Sequence, residues 1–193
     1  MPNDRIILRQ WIDADLAPYA AMNSDPVVME HFPRLLDRAE SAESMARQRA
    51  LIAGRGWGLW VVEVNGDFAG FTGLAVPGFA AAFMPCVEIG WRFRREYWGR
   101  GLAFAAAAAA LAYGFERLHL PGIVSFTAAS NQRSRRLMER LGFARDEAGD
   151  FLHPNLPPDS PLRPHVLYRK PRTAPPPAWP PGRPRPPVEI VPS

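Results

Sequence analysis

The sequence predicts one α/β domain, and three observations carry that prediction. Residues Val87–Leu118 read as a strand, a tight turn and a long helix. Two apolar, β-rich runs, Leu59–Val64 and Phe68–Val76, flank Asn65-Gly66-Asp67, and Asn-Gly between strands is a strong hairpin signal. A chain of 193 residues at 47% hydrophobic composition is long enough for one sizeable core and too short for a second full domain.

Taken in order, Arg5–Trp11 reads as a first strand, and Asp13 or Asp15 caps a helix running to about Asn23. Asp25-Pro26 opens another helical turn. The spacing of Met45, Gln48, Leu51 and Ile52 predicts a helix over Ser41–Ala53, with Gly54 beyond its end. Pro77–Pro85 reads as a loop whose Phe79 and Phe83 either meet a substrate or second subunit or pack on their own domain.

In the next strand Val87, Ile89, Trp91 and Phe93 alternate with Glu88, Gly90 and Arg92, so one face is buried and Glu88 and Gly90 share the other. The following helix carries Phe104, Ala108, Leu111, Phe115 and Leu118 as its apolar stripe, within an alanine run that favours helix and keeps side chains small. Ile123–Thr127 predicts a strand and Asn131–Leu141 a short helix closed by Gly142. A short strand follows Phe143, then a Pro-rich loop over Phe151–Pro164 and a last strand at Val166–Arg169. The domain is expected to span residues 1–170, with 171–193 a proline-rich, disordered or polyproline tail in which Arg172, Arg183 and Arg185 either attract an acidic partner or are solvated.

The formal charge of +4 and pI near 9.8 come almost wholly from arginine, since Lys170 is the single lysine. That excess suits an anionic cofactor or solubility as well as nucleic acid, and aromatic-rich basic repeats, helix-turn-helix patterning and zinc-ligand spacing are all absent. Nucleic acid is therefore a minor reading, and no metal is expected. Cys86 is the one cysteine, which excludes an intrachain disulfide framework. MPNDRIILRQ lacks a signal-peptide core and no apolar run reaches membrane-spanning length, so a cytoplasmic location without a membrane partner is the expectation.

Between strand and helix, Tyr97-Trp98-Gly99-Arg100-Gly101-Leu102-Ala103 allows successive backbone amides to converge at a helix N-terminus, a geometry that binds phosphates. Phe104 stands where a dinucleotide fingerprint needs its third glycine, and a Walker A loop would need Gly-Lys-Ser/Thr. Another phosphate-bearing ligand is indicated, or else a plain strand-to-helix turn. Together with EIGW before the turn, and with Asn131, Ser134, Leu141, Gly142 and Phe143 in N-x-x-S-x-x-x-x-x-x-L-G-F, the chain resembles the GCN5-related N-acetyltransferases. The likeness covers roughly residues 4–170 and is greatest to the subgroup that acetylates ribosomal-protein N-termini.

That resemblance implies a mixed, mostly antiparallel sheet splayed at the coenzyme site, with helices on both faces. It implies acetyl-CoA as co-substrate and a primary amine as acceptor, either a protein N-terminus or a small molecule, joined by direct attack in a ternary complex. Ile89, Trp91, Phe93 and the Trp98–Ala103 turn (Trp98, Gly99, Arg100, Gly101, Leu102, Ala103) then hold the coenzyme, mainly through the main chain. Arg94, Arg95 and Arg100 add charge or are solvated, Asn131 meets the pantetheine arm or caps its helix, and Arg135 or Arg136 reaches the nucleotide end.

Acetyl transfer to an amine needs a base, a carbonyl donor and a proton for the thiolate. Glu88 is the candidate base, the alternative being a surface pair with Arg92. Ser134 stands in for the tyrosine that many relatives place on this helix, the alternative being a capping serine. Phe104-Ala105 replaces a Thr-Glu pair common among close relatives, so no role passes to that glutamate. Cys86 is an alternative acetyl carrier or a buried thiol, and His153 an alternative base or a structural histidine. The missing tyrosine also leaves a non-catalytic CoA-binding or scaffold protein as the second reading.

Overall fold

Alternation at the start of the chain places Ile6 and Leu8 of β1 (Ile6–Arg9) wholly inside the core. In the computed structural model, which describes residues 4–179 and 186–191, β1 leads through a short 3₁₀ turn at Asp13–Asp15 into α1 (Leu16–Asn23). The buried Asp15 carboxylate accepts from both terminal nitrogens of Arg9 (2.8 and 2.9 Å), and Arg9 Nε donates to Glu63 (2.7 Å). Asp25-Pro26 opens a single helical turn, with Met29 N donating to Asp25 O (3.0 Å) and the Asp25 side chain capping it by accepting from the Val27 amide (2.8 Å).

The next helix, α2 (Arg38–Arg55), is longer than the spacing predicts at both ends. Asp37 and Glu40 form a reciprocal capping box (2.8 and 2.9 Å), and the helix ends at Gly56 with φ of +78°, not at Gly54. The hairpin forms as expected from β2 (Leu59–Val64) and β3 (Asp67–Ala75), with Asn65 and Gly66 both at positive φ. Phe79 and Phe83 of the following loop pack on their own domain, with Phe79 5.6 Å and Phe83 5.9 Å from the Phe126 ring.

Then come β4 (Glu88–Phe93), α3 (Leu102–Glu116), β5 (Gly122–Ala128), α4 (Gln132–Arg140), β6 (Ala144–Leu152) and β7 (Pro164–Pro171). The buried residues of α3 are Leu102, Phe104, Ala105, Ala106, Ala107, Ala110, Leu111 and Gly114, so Phe104 and Leu111 of the expected stripe are inside while Ala108, Phe115 and, past the helix end, Leu118 are half-buried. Small residues face the sheet because the helix lies close to it. A Cβ on Gly114 would sit 2.8 Å from Ile123 Cδ1 and 3.0 Å from Leu74 Cδ1.

All strands join one open, eight-stranded sheet in the order β6-β7-β5-β4-β3-β2-β1-β8, where β8 is Val188–Ile190. β4/β5 and β1/β8 are parallel and the other pairs antiparallel. Register places α1 with Phe71 and Arg92 on one face, and α3 with Leu74 and Ile89 on the other.

The described part of the proline-rich tail, expected as a disordered or polyproline segment, lies against the domain. Lys170, buried, donates to Pro175 O (2.7 Å), Trp179 meets the Phe104 ring at 5.4 Å, and β8 extends the sheet beside β1. Proline forbids a central strand but not an edge, and Val188-Glu189-Ile190 is a proline-free stretch with the right alternation. Arg183 and Arg185 lie outside the described residues. Among the described residues no helix is long and apolar enough to cross a membrane.

Candidate active site

β4 and β5 part almost as soon as they meet. Glu88 and Val124 are the one register pair, held by Val124 N donating to Val87 O (2.9 Å) and Ser125 Oγ donating to Ile89 O (3.0 Å). Beyond that point opens a cleft of about 860 Å³, lined from both strands. Strand amides alternate sides. Since Val87 and Ile89 present their carbonyls to β5, Trp91 presents its N–H and C=O into the gap.

On the Ile89 face, Gly99 (φ +72°) and Gly101 (φ +84°) turn the chain into α3. The first bond of the α3 ladder runs from Ala105 N to Gly101 O (3.0 Å), so the amides of Leu102, Ala103 and Phe104 point out of the N-terminus, where an anion is favoured. Three arginines of α4 line the same end of the cleft: Arg133 lies 4.7 Å over the Trp98 ring, Arg140 4.9 Å over Phe104, and Arg136 stands between them in sequence. An amide turn, a basic rim and an open strand edge fit the pyrophosphate and pantetheine arm of acetyl-CoA.

Ile89, Trp91, Phe93, Trp98, Gly99, Gly101, Leu102, Ala103 and Asn131 all line this cleft. Four arginines named from the sequence do not. Arg94 donates to Phe68 O (3.1 Å) and pairs with Glu96, Arg95 pairs with Asp25, and Arg100 pairs with Asp4 (3.0 Å). Arg135 turns to Ala129 O (3.2 Å) and the Tyr168 hydroxyl (3.4 Å), so of the pair it is Arg136 that lines the cleft, with Arg133 and Arg140. Helical phase decides this, since positions 133, 136, 137 and 140 share one face and 135 does not.

Asn131 caps α4 by accepting from Ser134 N (3.1 Å) and also donates to Thr127 Oγ1 (3.0 Å). The Ser134 side chain is not itself the cap. Its Oγ accepts from the Trp91 indole N–H (3.1 Å) inside the cleft, which leaves its proton to donate elsewhere.

Glu88 occupies the opposite face. It lines the cleft, and the adjacent Gly90 leaves room beside it, since a Cβ there would meet nothing nearer than Leu59 Cδ2 at 3.9 Å. Among the described residues nothing pairs with it, Arg92 included, and burial pushes it up to about 7. Arg92 instead donates to Asn23 Oδ1 (2.7 Å) and stacks 3.8 Å over Phe32. Cys86 is held by Met84 and its thiol is pushed up to about 11 by burial, which removes the thiolate an acyl carrier needs.

His153 and His165 lie 4.8 Å apart, both lowered by burial, and with Phe126 they line this side of the cleft. His153 packs 4.7 Å from Phe79 and accepts from Asn155 N (3.3 Å). His31 and Phe32, from the loop after α1, form the facing wall. Sequence reading missed His31, His165 and the α4 rim as a set, since register across β5–β7 and helix phase bring them together and no motif marks them.

The comparisons agree with this geometry. A model of the acetyltransferase (GNAT) domain matches residues 5–144. The uncharacterized protein YkkB of Bacillus subtilis is 32% identical over 142 residues, 72% of this chain and 81% of the relative. Among solved structures, an acetyltransferase of Agrobacterium tumefaciens superposes with a TM-score of 0.69 at 26% identity, covering 88% of this chain and 92% of that one. RimJ of Mycobacterium smegmatis, in complex with CoA-disulfide, shares the fold with a TM-score of 0.66 at 20% identity over 87% of this chain and 85% of its own. With its splayed β4–β5 cleft and α3 amide turn, the chain belongs to the GNAT acetyltransferase family.

Proposed function

We propose that this acetyltransferase moves the acetyl group of acetyl-CoA to a primary amine by direct attack in a ternary complex, with Glu88 as base and Ser134 as proton donor. Acetyl-CoA supplies the acetyl group as a thioester. The single observation that carries the reading is the Glu88 carboxyl, unpaired at the point where β4 leaves β5 and held at about 7, where a base works best near neutral pH.

Glu88 takes a proton from the acceptor ammonium, directly or through a water, so that the nitrogen lone pair forms the new C–N bond. The Trp91 amide, facing the gap, donates to the carbonyl oxygen as the C–S bond breaks. Ser134 Oγ, oriented by the Trp91 indole, gives a proton to the leaving sulfur, and the second proton that the nitrogen sheds as the amide forms is relayed by solvent back to Ser134. The α3 amides and the α4 arginines hold the phosphates and contribute binding without chemistry.

Thiol release measured across pH tests this. The wild-type rate should rise with the carboxylate fraction and level off above about 7. Glu88→Gln should lose roughly 10²–10⁴ in kcat at unchanged coenzyme affinity. A Glu88→Gln enzyme that keeps the wild-type rate and pH profile would refute the assignment.

A further inference from the structure

The acceptor face holds a second charged group that the acetyl-transfer reading does not use. Arg92 lies on the same face of β4 as Glu88, with Gly90 open between them. Four residues at about 3.3 Å each separate the two Cα atoms by roughly 13 Å, a span that two inward-leaning side chains and a small ligand fill.

Among the described residues no carboxylate pairs with Arg92. Its Nη1 bonds a neutral amide oxygen of Asn23, its plane stacks on Phe32, and its Nε is buried with no hydrogen-bond partner. A guanidinium keeps its charge at neutral pH and offers a planar fork matched to a carboxylate. Burying one without a counter-charge is costly, and a bound anion relieves that cost.

Beyond Arg92 lies a side pocket of about 200 Å³ whose walls include Tyr19, Ser44 and Gln48, and which shares Leu59, Phe71 and Arg92 with the main cleft. Neither these walls nor the Phe32 side brings another arginine or lysine, and His31 beside Phe32 lies against Glu30 (3.7 Å), so the place suits one negative charge and not a phosphate, which would call for several. Glu88 is the one carboxylate among the residues lining the cleft. A polycationic acceptor would meet Arg92 and find no second acid.

We propose that the acceptor is an aminocarboxylate, its amine set against Glu88 and its carboxylate bound by Arg92. This rests on the acetyl-transfer reading and names the substrate class for the same site. Glu88 and Arg92 then read the two ends of one zwitterion, and the length of the acceptor is set by the Gly90 gap.

The test measures thiol release from acetyl-CoA with a homologous series of unbranched ω-amino acids, the alkylamines of matching length, spermidine and an aminoglycoside. The best amino acid should exceed its matched alkylamine by at least about tenfold in kcat/KM, chiefly through KM. Arg92→Met should erase that preference by raising KM for the amino acid alone, leaving the alkylamine KM and the coenzyme affinity unchanged, while Arg92→Lys keeps part of it. An alkylamine or polycation used as well as the best amino acid overturns the inference and leaves acetyl transfer standing. So does an Arg92→Met enzyme impaired equally toward both amines. If acetyl-CoA binds, as a thermal shift reports, and no amine releases thiol, both readings fall.

Discussion

Replacing Glu88 with Gln tests the electrostatics of the site through stability, independently of turnover, because it should make the protein more stable at alkaline pH. The folded protein holds this carboxyl at about 7 against 4.5 in the unfolded chain, with burial as the cause. Below about 4.5 the group is protonated in both states and costs nothing. As pH rises toward 7 the unfolded chain ionises freely while the folded one resists, and stability is lost until the folded group has ionised as well. At 1.36 kcal/mol per pH unit the full penalty is about 3 kcal/mol. Water in the open cleft screens part of it, so about 1–2 kcal/mol is expected, or a rise in Tm of roughly 3–6 °C for a chain of this size. Glutamine is uncharged and carries no such penalty. Thermal unfolding of both proteins from pH 4 to 9 should give coincident midpoints at the acid end and a Gln variant that melts higher above pH 7. A difference independent of pH, or a Gln variant that melts lower above pH 7, would show that the carboxyl is not buried and unpaired as described.

Other expectations follow from single contacts. Ser134→Ala should lower kcat about tenfold or more with unchanged coenzyme affinity, and an unchanged kcat would remove Ser134 from proton donation. Gly101→Val places a branched side chain at φ +84°, which costs about 1–2 kcal/mol locally and closes the amide turn, so coenzyme affinity measured by tryptophan fluorescence should fall about tenfold. Retained affinity would count against the turn as the phosphate site. Asp37→Ala removes the α2 capping box and should cost about 1 kcal/mol, seen as a Tm lower by roughly 2–4 °C with kcat/KM unaltered.

Much of this molecule was legible one residue at a time, because the signals were local. Val87, Ile89, Trp91 and Phe93 against Glu88 and Gly90 marked a strand with one open face, Asn65-Gly66 marked a hairpin through its positive φ, and two glycines marked the entry to α3. Those features depend on neighbours within a few positions, where backbone sterics and side-chain period act. What tertiary structure decided was everything set by distance across the sheet. That Arg94 and Arg100 spend their charge on Glu96 and Asp4 while Arg133, Arg136 and Arg140 face the cleft depends on which helix face meets α3. That Glu88 stands unpaired and Arg92 turns to Asn23 depends on a helix whose last residue lies 69 positions away. And that Val188–Ile190 returns to β1 depends on an open sheet edge more than 170 residues upstream, a hydrogen-bonding demand that proline content by itself does not reveal.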